Sequence, residues 1–224
     1  MKYKILFTVL ICLYSIQLFS QEPSKKMMEL KEICLSLRDN IGSDDILYQT
    51  NKRFKDFRNK NSFTSDLSPL NFNIVSGEEN LLPLDNHIIF IPEYFDELLK
   101  NDGSFKKAEE LMREWEEMNN VSRRGSSGYV FYQHNFVLKK HSSMVFEVQV
   151  PSGPVDFMVV SEPNSLTTMH IYDIVNKEYY NELDSDKEGR KYRHRTMRMR
   201  SPSKLKITIY NRSAKDASMV FFYF

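Results

Sequence analysis

The clearest indication of the fold is the run Met144-Val-Phe-Glu-Val-Gln-Val150, in which every second side chain is large and apolar. Lys204-Leu-Lys-Ile-Thr-Ile209 repeats the pattern, with lysine and threonine at the alternate positions. Neighbouring side chains of a strand point to opposite faces, so a period of two predicts a strand with one face in a core and the other in water. Both stretches are therefore expected to be strands.

Six further β-prone segments surround these two, at residues 129–138, 155–160, 169–174, 178–183, 191–200 and 217–224. Turn residues such as Gly153 and Pro154 separate them, and no helical period lies between them. Short strands at this spacing predict an antiparallel, jelly-roll-like β-sandwich of about eight strands over residues 123–224. Segment 217–224 has apolar side chains on both faces, which predicts a strand covered on both sides.

Residues 21–122 show a mainly helical period. The first helix is expected to carry an apolar stripe at intervals of three and four residues, formed by Met27, Leu30, Cys34, Leu37 and Ile41. Ser24 can cap the start of this helix, and Gly42 can end it. Further helices are expected from near Ser43, from Pro92, and from Ser104 to about residue 118.

Two β-prone runs interrupt these helices, at residues 71–75 and 87–91, and they predict a short hairpin or two edge strands. A Gly- and Ser-rich run at residues 122–128 follows, and the period changes there from about 3.6 to 2. The expected fold class is therefore α+β, with a helical amino-terminal half packed on a carboxy-terminal β-sandwich.

Residues 1–20 have the pattern of a secretory signal peptide. Lys2 and Lys4 precede an apolar run, and Ser20 stands before a polar start at Gln21. The run is short for a permanent transmembrane helix, so we expect no transmembrane segment after cleavage, with an uncleaved anchor as the alternative. These features predict export to the periplasm or the cell exterior. The Lys- and Asn-rich composition favours a bacterial source.

Removal of the signal leaves Cys34 as the single cysteine, so no intramolecular disulfide is expected. It also leaves 29 basic and 30 acidic residues, after the loss of Lys2 and Lys4. A nucleic-acid ligand needs a strongly basic face, so this near-neutral balance argues against nucleic acid as a partner.

Three phrases carry a resemblance to a known family. They are Phe146-Glu-Val-Gln-Val-Pro-Ser-Gly153, Met169-His-Ile-Tyr-Asp173 and Pro202-Ser-Lys-Leu-Lys-Ile-Thr-Ile-Tyr-Asn211. Together they resemble the pre-peptidase C-terminal type of β-sandwich, which accompanies secreted bacterial enzymes. The resemblance implies a non-catalytic accessory or binding role, with no catalytic residue to carry over.

One stretch has the opening of a calcium-binding loop. Asp184, Asp186 and Glu188 stand at positions one, three and five, and Gly189 stands at position six. Position twelve, which is a bidentate glutamate in such loops, is Arg195. We expect a solvated turn here, with a weak calcium site as the alternative. No other cofactor is expected.

The basic segment 190–200 is the main concentration of charge. Its candidate binding residues are Tyr192, Arg193, Arg195, Arg198 and Arg200. They predict an edge strand protected by charge that faces the helical half. The alternative is a surface for an anionic glycan or a lipid.

No motif in the sequence identifies a reaction. The five histidines form no zinc-binding cluster, and Cys34 lies on an apolar stripe where burial would raise the pKa of its thiol. We therefore expect an exported, non-catalytic binding or accessory protein whose partner is a protein or glycan of the cell envelope. The alternative is a secreted hydrolase that assembles its site from dispersed residues such as His134, His170, Asp156 and Asp173.

Overall fold

The structure, a computed structural model, describes residues 24–85, 87–101, 113–115, 117, 130–180, 184–185 and 191–224. Three helices are α1 Lys25–Asp39, α2 Asp44–Lys60 and α3 Pro92–Asn101. Residues 113–115 and 117 are also helical, in agreement with the helix expected from Ser104. The predicted signal peptide at residues 1–20 and the predicted boundary at residues 122–128 lie outside the described residues.

The strands of the described residues form two sheets. They are β1 Ser62–Thr64, β2 Asn73–Ser76, β3 Leu81–Leu82, β4 Val130–Leu138, β5 Ser143–Val150, β6 Gly153–Ser161, β7 Thr167–Asp173, β8 Glu178–Tyr180, β9 Asp184–Ser185, β10 Tyr192–Met199, β11 Ser203–Asn211 and β12 Ala217–Tyr223. The larger sheet has the order β1-β4-β12-β6-β10-β9, with β3 also paired to β4, and the smaller sheet has the order β2-β5-β11-β7-β8. The pairing is antiparallel except between β1 and β4.

The mixed α+β architecture expected from the sequence is confirmed. All eight predicted β segments of the carboxy-terminal region are strands, and the two-residue β9 is an additional one. Strands β4 to β7 alternate between the two sheets, which is the strand arrangement of a double-sheet jelly roll. The amino-terminal region also contributes to the sandwich, because β1 and β3 join the larger sheet and β2 joins the smaller one.

Helix α1 begins as its sequence indicates. The Ser24 side chain accepts a hydrogen bond from the Met27 amide at 3.0 Å and so caps the first turn. The predicted apolar stripe is buried except for Ile41, which is half-buried. The helix ends at Asp39, earlier than predicted, and Gly42 follows in the left-handed region with φ +94°.

Two apolar cores give the molecule three layers. One core lies between the two sheets, and the other, which we name the helix-layer core, lies between the larger sheet and the helices. Strand β12 contributes to both, because Met219 and Phe221 point into the sandwich while Val220 and Phe222 point toward the helices. The prediction that this last strand is covered on both sides is confirmed.

The expected hairpin between residues 71–75 and 87–91 does not form. The alternative of edge strands holds for the first run, because β2 pairs with β5 at the edge of the smaller sheet, but residues 87–91 form no strand. Side chains from β4 hold this second run in place: Gln133 Nε2 donates to the carbonyl of Phe90 at 2.6 Å, and the Phe90 amide donates to Asn135 Oδ1 at 3.1 Å. The apolar side chains of the run fill the helix-layer core, so the β-like pattern reflects burial rather than sheet pairing.

No helix among the described residues combines the length and apolar character that a membrane crossing requires.

Candidate functional site

The five residues of the predicted basic surface do not share one exposed face. Tyr192 and Arg193 are buried, Arg195 is half-buried, and only Arg198 and Arg200 are exposed. Because side chains alternate along β10, Tyr192 packs into the helix-layer core, whereas the Arg195 guanidinium lies 5.8 Å from the Tyr180 ring centroid. The segment therefore spreads its charge over both faces of a strand.

The calcium candidate lies largely outside the described residues. Asp184 belongs to β9, where it pairs with His194, while Asp186 and Glu188 are not described. Within the described part of the chain, no group of three or more His, Cys, Asp or Glu side chains could hold a metal ion.

The four residues of the hydrolase alternative occupy four separate places. His134 on β4 lies between the rings of Phe72 and Phe136, and His170 is exposed on β7. Asp156 is buried on β6, and Asp173 is buried at the end of β7. Cys34 is fully buried in the helix-layer core, and burial raises the pKa of its thiol. None of these groups is arranged around a common cleft in the described structure.

Asp156 has a structural role at the junction of the layers. Its carboxylate accepts hydrogen bonds from the Ser24 amide at 3.0 Å and from the Thr196 hydroxyl, and it lies 3.5 Å from Nε2 of His194. Burial raises the pKa of Asp156, but these hydrogen bonds outweigh burial and keep the pKa below its ordinary value. His194 is only 1% exposed, so this buried pair joins β6 and β10 to the start of α1.

Asp173 organises the turn between β7 and β8. Its carboxylate accepts hydrogen bonds from the Ser203 hydroxyl at 2.6 Å and from the amides of Val175 and Asn176 at 2.9 and 3.0 Å. Burial raises the pKa of Asp173, and these donors lower it below its ordinary value. The residue thereby fixes the position of β8, which carries the exposed tyrosine described next.

The outer face of the smaller sheet carries a group of aromatic side chains, which we name the tyrosine face: Tyr172, Tyr179, His170 and Tyr210. Tyr172 and Tyr179 stand opposite each other on β7 and β8, with ring centroids 4.7 Å apart. Tyr179 is 75% exposed, the highest value among the exposed large hydrophobic side chains of the described residues. His170 and Tyr210 form a second pair, edge to face, with centroids 5.8 Å apart.

The rest of this sheet face is polar except for Val145. The outward positions on β5 and β11 are Ser143, Val145, Glu147, Gln149, Lys204, Lys206 and Thr208. Lys206 lies opposite Tyr172 in the register, so a lysine and two tyrosines follow one another across three strands. A second cation, Arg212, lies beside Tyr210, with its guanidinium 4.9 Å from the Tyr210 ring centroid.

The tyrosine face was not predicted from the sequence. Alternation in β7 and β11 already indicates that His170 and Tyr172 point away from the core, as do Lys206 and Tyr210. What it does not indicate is that β7 lies between β11 and β8, which brings the four rings onto one surface.

A cleft of about 660 Å³ between α1 and the β6–β7 loop is a second candidate site. Its charged groups already pair with one another. Arg38 Nε donates to the carbonyl of Ser161 at 2.7 Å, and the Asp39 carboxylate accepts from Arg38 and from Lys191 Nζ, the latter at 3.3 Å. The tyrosine face is therefore the stronger candidate, because its most exposed ring points to solvent.

No family model matches the chain, and no curated protein matches it. Among solved structures, the chain is similar over 44% of its length to 90% of the Aeromonas hydrophila protein PliG, a periplasmic inhibitor of g-type lysozyme, with 10% identity and a TM-score of 0.31. It is similar over 47% of its length to 77% of TmCBM61 in complex with β-1,4-galactotriose, with 17% identity and a TM-score of 0.26. The secreted serine protease VesC from Vibrio cholerae matches 38% of this chain with 20% of its own, at 14% identity and a TM-score of 0.27. These similarities are too distant to assign the chain to a family.

Proposed function

We propose that this chain is an exported, non-catalytic binding protein that holds a saccharide on the tyrosine face. The observation that carries the proposal is the Tyr172–Tyr179 pair, because Tyr179 leaves most of its ring in water on the surface of a regular sheet. Large exposed aromatic groups of this kind mark interaction sites more often than isolated exposed side chains do. Export rests on the pattern of residues 1–20.

A saccharide fits the chemistry of this face better than a protein does. A sugar ring presents C–H groups on its flat sides and hydroxyl groups around its edge, so it can stack on an aromatic ring and form hydrogen bonds with neighbouring polar groups. The face supplies both, since its outward positions next to the rings are mainly Ser, Thr, Gln, Glu and Lys. A protein interface needs an apolar, charge-poor centre, and Val145 is the single aliphatic side chain at the outward positions of β5, β7, β8 and β11.

The face is also rigid enough to act as a preformed site. Tyr172 and Tyr179 belong to paired strands, and the turn that joins these strands is fixed by the buried carboxylate of Asp173. A backbone that is already held in place loses little conformational entropy when a ligand binds. The binding surface is therefore expected to change little between the free and bound states.

The hydrolase alternative lacks a comparable site in the described residues. His134, His170, Asp156 and Asp173 lie in four places. Two carboxylate–histidine pairs form among the described residues: Asp156 with His194 is buried, and the carboxylate of Glu162, which lies 3.3 Å from His87, also forms an ion pair with Lys215. The resemblance to pre-peptidase C-terminal domains stays a prediction, and it agrees with an accessory binding role.

Binding to saccharides tests the proposal directly. The purified protein is incubated with a glycan array and with a panel of insoluble polysaccharides, and the bound fraction is measured for wild type, Tyr172→Ala and Tyr179→Ala. Each ring is expected to contribute about 1.4 kcal/mol, so each variant should bind about tenfold more weakly. Tyr48→Ala is the matched control, because Tyr48 is 61% exposed but lies on α2.

Three results would contradict this proposal. One is the absence of saccharide binding by the wild type, and another is unchanged binding by both tyrosine variants. The third is a protein partner, captured from an envelope extract, whose binding depends on Tyr179 while no saccharide binds.

A further inference from the structure

On the described strands of the smaller sheet, the tyrosine face carries more positive than negative charge. The outward lysines are Lys204 and Lys206, and the outward carboxylate is Glu147. Lys204 forms an ion pair with Glu147 across the two strands. Lys206 lies opposite Glu147 in the register, but the ion pair of Glu147 is with Lys204. Lys206 is exposed and forms no ion pair with another described residue, so its ammonium group is accessible to a ligand.

Arg212 supplies a second cation beside the rings. Its guanidinium lies over the Tyr210 ring, and its Nε donates to the Thr168 hydroxyl at 3.4 Å. These contacts hold the guanidinium at the edge of the face without neutralising its charge, and the residue is exposed. A guanidinium with free donor groups binds a planar carboxylate or a sulfate well.

The two cations stand at separate places along the aromatic surface. Lys206 lies opposite Tyr172, whereas Tyr210, next to Arg212 in space, lies opposite Thr168. Residues 168 and 172 of the same strand are about 13 Å apart at the usual rise per residue. A ligand that meets both cations must therefore extend along the strand and carry more than one acidic group.

We propose that the saccharide bound here is an acidic glycan chain, with carboxylate or sulfate groups on successive sugar units. This inference rests on the proposed function and makes it more specific. The sugar rings stack on Tyr172 and Tyr179, one acidic group pairs with Lys206, and another pairs with Arg212. A neutral glycan would leave both cations without a partner and would gain only the stacking.

The experiment compares glycans that differ only in charge. Polygalacturonate is measured beside its fully methyl-esterified form, and chondroitin sulfate beside desulfated, methyl-esterified chondroitin, by isothermal titration calorimetry at two salt concentrations. Wild type is expected to bind at least one acidic glycan tenfold more tightly than its neutral form. The difference should shrink at high salt, because salt screens exposed charges.

Charge variants locate the effect on the face. Lys206→Gln and Arg212→Gln should each weaken binding of the acidic form threefold to tenfold and leave binding of the neutral form unchanged. Lys52→Gln is the matched control, since Lys52 is an exposed lysine of α2. A single-stranded DNA oligonucleotide serves as a second polyanion in the same titration.

The outcomes separate this inference from the proposed function. Equal binding of acidic and neutral forms, unaffected by Lys206→Gln and Arg212→Gln, would overturn the acidic ligand and leave a saccharide-binding protein. Absence of binding to every saccharide would overturn both. Tighter binding of the oligonucleotide than of any acidic glycan, dependent on Tyr179 and Lys206, would assign the face to nucleic acid instead.

Discussion

Protonation of His134 is expected to destabilise the fold as the pH falls. Nε2 of this histidine is buried without a hydrogen-bond partner in the described structure, and burial lowers the pKa of His134 to about 4. In the unfolded chain the pKa is about 6.5, so the unfolded state takes up the proton first. The stability contributed by the neutral ring is therefore complete above pH ~6.5 and is lost between ~6.5 and about 4.

The size of the effect follows from these two pKa values. Their difference corresponds to up to about 3 kcal/mol of unfolding free energy, of which about 2 kcal/mol is lost between pH ~7 and ~5. Within this range carboxylates titrate little. The substitution His134→Leu removes the titrating group and places an apolar side chain of similar size between Phe72 and Phe136.

Urea unfolding at pH 7 and pH 5 measures this effect, with fluorescence of Trp115, the single and buried tryptophan, and circular dichroism as probes. When the pH falls from 7 to 5, the unfolding free energy of His134→Leu should decrease by about 2 kcal/mol less than that of wild type. Contributions from the other histidines cancel in this comparison. His170→Leu, the same substitution at an exposed position of β7, is the matched control. A wild-type-to-variant difference in unfolding free energy that is the same at both pH values would show that His134 does not cause this pH dependence.

Two further pairs of substitutions test the structural framework. Asp156→Ala should cost about 3 kcal/mol of unfolding free energy, because it leaves buried partners of the carboxylate unsatisfied, whereas Asp56→Ala on the exposed side of α2 should change it by less than about 0.5 kcal/mol. A cost of less than about 1 kcal/mol for Asp156→Ala in urea unfolding would contradict the role of this residue at the layer junction. Gly77→Ala should destabilise more than Gly42→Ala by at least about 1 kcal/mol, since both positions have positive φ but only a Cβ at Gly77 would lie 2.2 Å from the carbonyl oxygen of Ser143. Equal thermal midpoints for the two alanine variants would show that the smaller sheet adjusts at this point without cost.

Most of the secondary structure was predictable because its signals are local. Strands β5 and β11 alternate cleanly in the sequence, and Ser24 and Pro92 mark the starts of α1 and α3. The error at residues 87–91 has a tertiary cause. Both an edge strand and a buried extended run need apolar side chains, and only the amide groups of Gln133 and Asn135 in space decide which one forms.

The candidate site was less predictable than the fold. The basic segment supplied the candidate binding residues because its charges are contiguous in sequence, yet Arg193 and Arg198 point to opposite faces of β10. The tyrosine face gave no contiguous signal, since its rings come from β7, β8 and β11.

Local alternation is enough to assign the side chains that each strand turns toward the core, because a strand alternates its faces whatever surrounds it. The sequence also indicates that the last strand is apolar on both sides, as the two cores around Phe221 and Phe222 confirm. The identity of neighbouring strands, in contrast, is visible only in the folded molecule. Strand order depends on long-range pairing and packing, and this order places Tyr172, Tyr179 and Lys206 side by side on a face open to water.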